Sequence, residues 1–207
     1  MTQEIEIIPM CDPRGYMTIE EAERIVFGGC PSSRDKTLFA TLLYTGRGVS
    51  EVVGRWGITP NDIDSEKDIL SFVILKRKRK DKEKSPEKRP FPAPRKLVDM
   101  LLTYITEYHI KPEAKIFPIS RHRVYQLLRS AGNRVGIFKV GEKKLHPHHF
   151  RHTFAVHMAN TIQNPAGLKM VQDMLAHSSI SVTTFYLRFN PIEQKNLLEK
   201  AFGEKHE

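Results

Sequence analysis

The feature that most constrains this chain is a stretch of reactive side chains near its C-terminus, residues 146–186. It contains His148, Arg151, His177 and Tyr186. On a helix, which we predict over residues 148–159, His148 and Arg151 occupy neighbouring positions of one face because they are three residues apart. A nucleophilic oxygen, a cation and hydrogen-bonding imidazoles are the groups that phosphoryl transfer requires. The stretch therefore predicts that chemistry.

The charge of the chain indicates the kind of partner. A net charge of +9 and an isoelectric point near 9.6 favour a polyanion, with nucleic acid the first candidate. No apolar run approaches the roughly 20 residues that span a bilayer, so we expect no membrane association. The two cysteines, Cys11 and Cys30, have no ligand-like spacing. We therefore expect a cytoplasmic protein with free thiols.

Much of the positive charge lies in one segment. Residues 76–90 contain nine Lys or Arg and three acids, so they carry +6 of the net +9. A solvated loop or a localisation-type basic run is one interpretation. A β-hairpin against a phosphate backbone is the other, and Lys76, Lys78 and Lys80 would then share one strand face. On that interpretation the DNA-binding residues are Lys76, Arg77, Lys80, Lys82 and Arg89.

The remaining patterns predict a mainly α protein with a small antiparallel β-sheet, an α+β fold, in a single compact domain with flexible ends. Apolar residues recur at helical spacing in residues 33–45 and 96–108. Thr18 and Ser120 are expected N-caps, for helices over residues 18–27 and 124–135. Strands are expected over residues 69–80 and 87–92, and a loop over residues 141–145. Further helices are expected over residues 49–54, 165–175, 181–186 and 191–201.

Three motifs in the C-terminal half resemble those of the tyrosine recombinase (phage integrase) family, which includes archaeal- and bacterial-type site-specific recombinases. The family patterns are H-x-L-R-H-T-F-A, then L-G-H-S, then T-x-x-Y. Here they read HHFRHTFA at residues 148–155, LAHS at residues 175–178 and TTFY at residues 183–186. Several motifs at matching spacings make the resemblance specific.

The resemblance implies three regions. Residues 1–16 would be an N-terminal arm, residues 17–190 the catalytic domain, and residues 191–207 a C-terminal helix and tail able to dock on a neighbouring protomer. The DNA-clamping domain that usually precedes the catalytic domain has no counterpart in these residues. A naturally short member and a shortened chain both remain open.

The resemblance also implies a mechanism without metal or cofactor. Tyr186 would attack a scissile phosphate of double-stranded DNA and form a 3′-phosphotyrosyl link. Arg151 and His177 would bind the phosphate, and His148 would accept or relay the tyrosine proton. Lys78, on the hairpin, would protonate the leaving 5′ oxygen. The family acts as homo-oligomers of up to four protomers on DNA.

One position departs from the family pattern. The first catalytic arginine lies in T-G-x-R-I/V-S-E, whereas residues 45–51 read TGRGVSE. Gly48 therefore occupies the arginine position, and Arg47 lies one residue early. At a helix start, one residue rotates a side chain by about 100°. A deliberately inactivated variant, a naturally degenerate member and a backbone shift that lets Arg47 substitute all remain open.

Other interpretations compete with recombination. A catalytically inactive member would bind DNA and regulate or assemble with active partners. An enzyme resembling type IB topoisomerases would share the nicking chemistry without synapsis. The clustered histidines, such as His148 and His152, also suggest a metal site. We disfavour that site because no acidic or cysteine ligand lies nearby in the sequence.

Overall fold

The computed structural model describes residues 16–73, 75 and 88–161. The helices are α1 (Ile19–Glu23), α2 (Ser33–Thr45), α3 (Val49–Val52), α4 (Arg95–Glu107), α5 (Arg121–Arg134) and α6 (His148–Thr161). The strands are β1 (Ile63–Asp64), β2 (Ile69–Val73), β3 (Lys88–Pro92), β4 (Lys139–Val140) and β5 (Lys143–Lys144). This is the mainly helical α+β fold that the sequence predicts.

Local sequence explains where the first helix begins. Thr18 accepts a hydrogen bond from the Glu21 amide, and the Glu21 carboxylate accepts one from the Thr18 amide. This reciprocal pair satisfies two amides that the first turn leaves without helical partners. After α1 the chain continues as a π-helical segment, Arg24–Gly29. The predicted N-cap is thus confirmed, and the predicted helix 18–27 is divided between two helical forms.

Helix α2 supplies much of the core. Leu38, Phe39, Leu42 and Leu43 are buried, and its side-chain cap is Ser32. Gly46 ends the helix with a φ of 60°, in the left-handed region where glycine carries no steric cost. This turn leads directly into residues 47 and 48, so the end of α2 sets the position of the first part of the site.

The larger sheet has the order β1-β2-β3, with both pairings antiparallel. Phe72 on β2 lies opposite Arg89 on β3, and Leu70 lies opposite Phe91. The rings of Phe72 and Phe91 meet edge to face with centroids 6.2 Å apart. Prolines at positions 90 and 92 leave β3 without two ladder donors. The predicted strand 69–80 ends at Val73 in the described residues, and residues 76–80 lie outside them.

Two expectations about the region before α6 were wrong. Helix α5 begins at Arg121 rather than at residue 124, directly after its N-cap Ser120, which accepts from the Arg123 amide. Residues 141–145 are not simply a loop, because β4 and β5 pair antiparallel around a turn at Gly141. Two-residue strands are too short to show an alternating pattern, which is why the sequence gave no signal for them.

The first turns of α6 are held by contacts from several elements. Phe150 stacks on Phe39 of α2, with ring centroids 5.8 Å apart. The Thr153 hydroxyl donates to the Met17 carbonyl and accepts from the Met17 amide. Phe154 lies 6.3 Å from Phe91 between ring centroids. The side chains next to His148 and Arg151 in the sequence therefore fix the part of α6 that carries the pair.

The described residues up to Phe154 belong to one compact unit, and a second unit begins at Ala155. The described part of the second unit is the remainder of α6, where the Thr161 hydroxyl donates to the His157 carbonyl. Within the described ranges, no helix is both long and apolar enough to cross a membrane. The predicted boundaries of the arm, catalytic domain and tail remain predictions.

The close approach of the π-helical segment to α5 gives a test of the fold. A Cβ at Gly29 would lie 2.4 Å from the Ala131 carbonyl oxygen, whereas one at Gly28 would lie 3.5 Å from Val135. We expect Gly29→Ala to reduce the free energy of unfolding by about 1–3 kcal/mol, because backbone must move. Gly28→Ala is the matched control and should change it by less than about 1 kcal/mol. Urea unfolding measures both, and equal effects would contradict the close packing.

Candidate active site

The candidate site is a cavity of about 420 Å³ between α3, α5 and the start of α6. Its lining includes Arg47, Gly48, Glu51, Arg121, His148 and Arg151. Two motifs that are distant in sequence, TGRGVSE and HHFRHTFA, therefore meet at one place. Of the predicted site residues, the structure brings together Arg47, Gly48, His148 and Arg151.

Arg151 is fixed by the turn that ends α2. Its side chain is 4% exposed, and its Nη1 donates to the Gly46 carbonyl at 2.9 Å. The bond joins residues 105 positions apart and connects α6 to the α2–α3 turn. A guanidinium has five N–H donors, so this bond occupies one and orients the group. Arg151 is thus a preorganised cation at the wall of the cavity.

His148 is exposed at the first position of α6 and belongs to a group of stacked histidines. Its ring meets His152 edge to face at 4.3 Å and lies 6.3 Å from His146. The neighbouring His149 is only 1% exposed, and its Nδ1 accepts a hydrogen bond from the His146 amide. Successive histidines on one helix therefore face different environments, and His148 is the one that lines the cavity.

Gly48 lies immediately before α3 and acts as its N-cap. Its amide donates to the Glu51 carboxylate at 2.9 Å, and its carbonyl accepts from the Glu51 amide at 2.8 Å. Its φ of −70° and ψ of 147° are ordinary extended values that any residue adopts. A Cβ there would meet only the Glu51 carboxylate, at 3.6 Å. Neither conformation nor space requires glycine at this position.

This geometry also corrects the expected 100° rotation between positions 47 and 48. That value applies inside a regular helix, whereas α3 begins only at Val49 and residue 48 is extended. Arg47 is 4% exposed and lines the cavity. Its Cζ lies 4.9 Å from the Phe91 ring centroid and 5.3 Å from that of Phe72. The guanidinium is therefore packed against the aromatic pair of the sheet.

The charges around Arg47 are mostly positive. Burial lowers the pKa of the Arg47 guanidinium to about 10; Glu51 opposes this shift, and the positive charges of Arg151 and Arg89 add to it. Arg47 nevertheless stays protonated at neutral pH. Arg89 is half-buried on β3, on the same face as Phe91 because the two are separated by one residue. Its predicted contact with DNA remains a prediction.

Sequence reasoning missed two residues that line the cavity, Arg121 and Tyr125 on α5. The Arg121 Nη2 donates to the Tyr125 hydroxyl at 3.3 Å, and both side chains lie on the face toward the cavity. A signal was present in the sequence. The first turn of α5 carries Arg121, His122 and Arg123, although a helix N-terminus favours acidic residues.

The remaining predicted site residues lie outside the described ranges. They are Tyr186, His177, Lys76, Arg77, Lys78, Lys80 and Lys82. Their predicted roles as nucleophile, phosphate ligand, general acid and DNA contacts remain predictions.

A comparison with protein families identifies the chain. The model of the phage integrase family matches residues 16–192. The chain belongs to this family. The resemblance predicted from the three motifs is therefore confirmed, and the described fold is that of a tyrosine recombinase catalytic domain.

Individual relatives agree with this assignment. Tyrosine recombinase XerD of Staphylococcus aureus is 30% identical over 186 residues, which cover 84% of this chain and 55% of XerD. The crystal structure of XerA recombinase is similar with a TM-score of 0.67 at 22% identity, covering 92% of this chain and 66% of XerA. XerH recombinase bound to a palindromic difH substrate has a TM-score of 0.65 at 18% identity, covering 92% of this chain and 53% of XerH. The chain thus spans 55% of the length of XerD and 61% of that of a tyrosine recombinase of Pseudothermotoga lettingae, which is 26% identical over 193 residues, 91% of this chain.

The burial of His149 predicts a dependence of stability on pH. Burial first, and then the neighbouring charges of His146, His152, His148 and Lys143, lower the pKa of His149 from 6.5 to about 3. Between these pH values the unfolded chain binds a proton that the folded chain does not. The free energy of unfolding should therefore decrease as the pH falls below 6.5, by about 2 kcal/mol at pH 5 from this residue.

Urea unfolding at pH 8 and pH 5 measures this effect. His149→Gln removes the titrating group, so its loss of stability on acidification should be about 2 kcal/mol smaller than that of the native chain. His157→Gln changes an exposed histidine of the same helix and is the matched control. An unchanged pH dependence in His149→Gln would show that the ring is not held neutral.

Proposed function

We propose that this protein is a site-specific DNA recombinase that cleaves and rejoins double-stranded DNA through a 3′-phosphotyrosyl intermediate. The observation that carries the proposal is the meeting of Arg151 and His148 with the α2–α3 turn at one cavity. Arg151 is buried and oriented by the Gly46 carbonyl, which is the arrangement expected for a group that stabilises charge developing on a phosphate.

Family membership and the sequence motifs supply the remaining parts. In the proposed reaction the Tyr186 hydroxyl oxygen attacks phosphorus, and the bond from phosphorus to the 5′ oxygen breaks. The tyrosine proton passes to His148, and Lys78 gives a proton to the leaving 5′ oxygen. Arg151 and His177 donate hydrogen bonds to the non-bridging oxygens. A 5′-hydroxyl from a second strand then attacks the phosphotyrosine and restores a phosphodiester.

This scheme conserves the phosphodiester energy in the covalent link, and the family requires neither a nucleotide nor a metal. We propose double-stranded DNA as the substrate, homo-oligomers of up to four protomers as the working assembly, and the cytoplasm as the location. The net charge of +9, with residues 76–90 as its most basic segment, supports an electrostatic contribution to DNA binding.

Gly48 supports one expectation about rate and a second candidate function. Loss of one preorganised donor to a transition-state oxyanion costs about 10²–10³ in rate. We therefore propose that the chain is slower than the same chain with arginine at position 48. The second candidate function, favoured by this same glycine, is a catalytically inactive member that binds DNA and regulates or assembles with active partners.

A covalent-adduct assay distinguishes the two. The probe is a pool of short duplexes of randomised sequence, each with a nick that lets the leaving fragment diffuse away and so traps the phosphotyrosine. We expect the native chain to form an SDS-resistant protein–DNA adduct, and Tyr186→Phe to form none, because the nucleophilic oxygen is removed. Sequencing the captured DNA identifies the preferred site.

Gly48→Arg tests the expectation about rate in the same assay. The position accepts a side chain without backbone strain, so the variant should fold, and its adduct should form faster than that of the native chain. Gly48→Ala, which adds a Cβ without charge, is the matched control. Absence of an adduct from both the native chain and Gly48→Arg would overturn the enzymatic function and leave the DNA-binding alternative.

A further inference from the structure

The side chain of Arg47 has an environment that its packing alone does not explain. It is 4% exposed, yet its Nε and Nη1 have no hydrogen-bond partner in the described part of the chain. The rings of Phe72 and Phe91 attract the positive charge but offer no acceptor oxygen. Buried N–H donors are nearly always satisfied, and those that are not require an explanation.

The charge balance is unfavourable for a structural guanidinium. The positive charges of Arg151 and Arg89 both repel the charge of Arg47, and Glu51 is the acid that opposes this repulsion. The Glu51 carboxylate already accepts a hydrogen bond from the Gly48 amide. A methionine of similar length would pack against the same two rings without leaving donors unpaired. The unpaired donors and the charge repulsion therefore lower the stability of the fold, and the buried cation is kept despite this cost.

The Arg47 side chain lies at the wall of the cavity. Arg151 also lines the cavity, and its guanidinium donates a hydrogen bond to the carbonyl of Gly46, the residue immediately before Arg47. One backbone turn therefore positions both cations. An anion entering this cavity would meet the free donors of Arg47 beside the oriented guanidinium of Arg151.

We propose that Arg47 and Arg151 together bind one phosphate group, and that Arg47 supplies the guanidinium that position 48 lacks. The inference rests on the proposed function for the identity of that phosphate, the scissile group of DNA. The claim that the two arginines bind an anion depends only on the residues that line the cavity. Arg47 makes this contribution from the neighbouring position, with its guanidinium packed against two aromatic rings, so it replaces the missing arginine only in part.

The first experiment measures anion binding without DNA. Inorganic phosphate is added to the native chain at constant ionic strength, and the melting temperature is followed. We expect phosphate to raise it, because a ligand that binds only the folded state stabilises that state. The rise should be lost in Arg47→Met and retained in Arg55→Met. Arg55 is the matched control because its Cζ also contacts an aromatic ring, that of Trp56 at 4.8 Å, but does not line the cavity.

Stability without phosphate separates a binding role from a structural one. Arg47→Met removes two buried unpaired donors, so we expect its melting temperature to equal or exceed that of the native chain, by up to about 2–4 °C. Arg47→Lys keeps the charge with fewer donors and should retain part of the phosphate effect. A fall in melting temperature, with the phosphate effect intact, would assign Arg47 a packing role and overturn the proposal.

The second experiment uses the adduct assay in a double-mutant cycle. We expect Arg47→Met to slow adduct formation by about 10²-fold, the scale of one oxyanion donor. In the Gly48→Arg background the same change should cost less than about 10-fold, because the arginine at position 48 then makes the contact. Equal effects in both backgrounds, or no effect in either, would overturn the replacement of position 48 by Arg47.

Together, the two experiments distinguish failure of the proposed role of Arg47 from failure of the proposed function. A phosphate effect that depends on Arg47, with no adduct from any variant, would support the anion site and contradict the proposed recombinase function. An adduct that forms equally fast in the native chain and in Arg47→Met would support the function and contradict the role of Arg47.

Discussion

The hydrogen bond from Arg151 to the Gly46 carbonyl is the interaction on which the rest of the site depends. Gly46 can end α2 in the left-handed conformation, and so it directs its carbonyl toward α6. Helix α6 is in turn held by Phe150 against Phe39 and by Thr153 against Met17. Loss of any of these contacts would move the Arg151 guanidinium relative to the turn that carries Arg47. These contacts therefore couple the positions of the site residues to the packing of the described core.

Stability and charge are opposed at this site. Buried guanidinium groups lose hydration, and like charges close together repel, so a cavity lined by several arginines is costly when it is empty. Folding of the surrounding aromatic and aliphatic core supplies the compensating free energy. A polyanion that enters the cavity relieves the repulsion. On the proposed anion binding, part of the free energy of binding would come from relief of this repulsion.

The sequence predicted the parts of the fold that depend on local chemistry. The N-caps Thr18 and Ser120, helix α2 and the face shared by His148 and Arg151 follow from residue types and spacing. The start of α5, the short β4–β5 pair and the orientation of Arg47 did not. The orientation of Arg47 depends on tertiary contacts with the rings of Phe72 and Phe91, which lie on two later strands. The paired strands β4 and β5 are too short to give a periodic signal. Arg121 was not predicted as a site residue because the helix was expected to begin at residue 124, whereas α5 begins at Arg121.

The ordinary backbone of Gly48 has an evolutionary consequence. A glycine held in the left-handed region, like Gly46, resists replacement because every other side chain strains the turn. Gly48 has no such constraint, and glycine and arginine codons are related by a single base change. A lineage can therefore lose or regain the arginine at this position in one mutational step without refolding the domain. The proposed activity is therefore open to reversible adjustment by point mutation, while the architecture around position 48 stays the same.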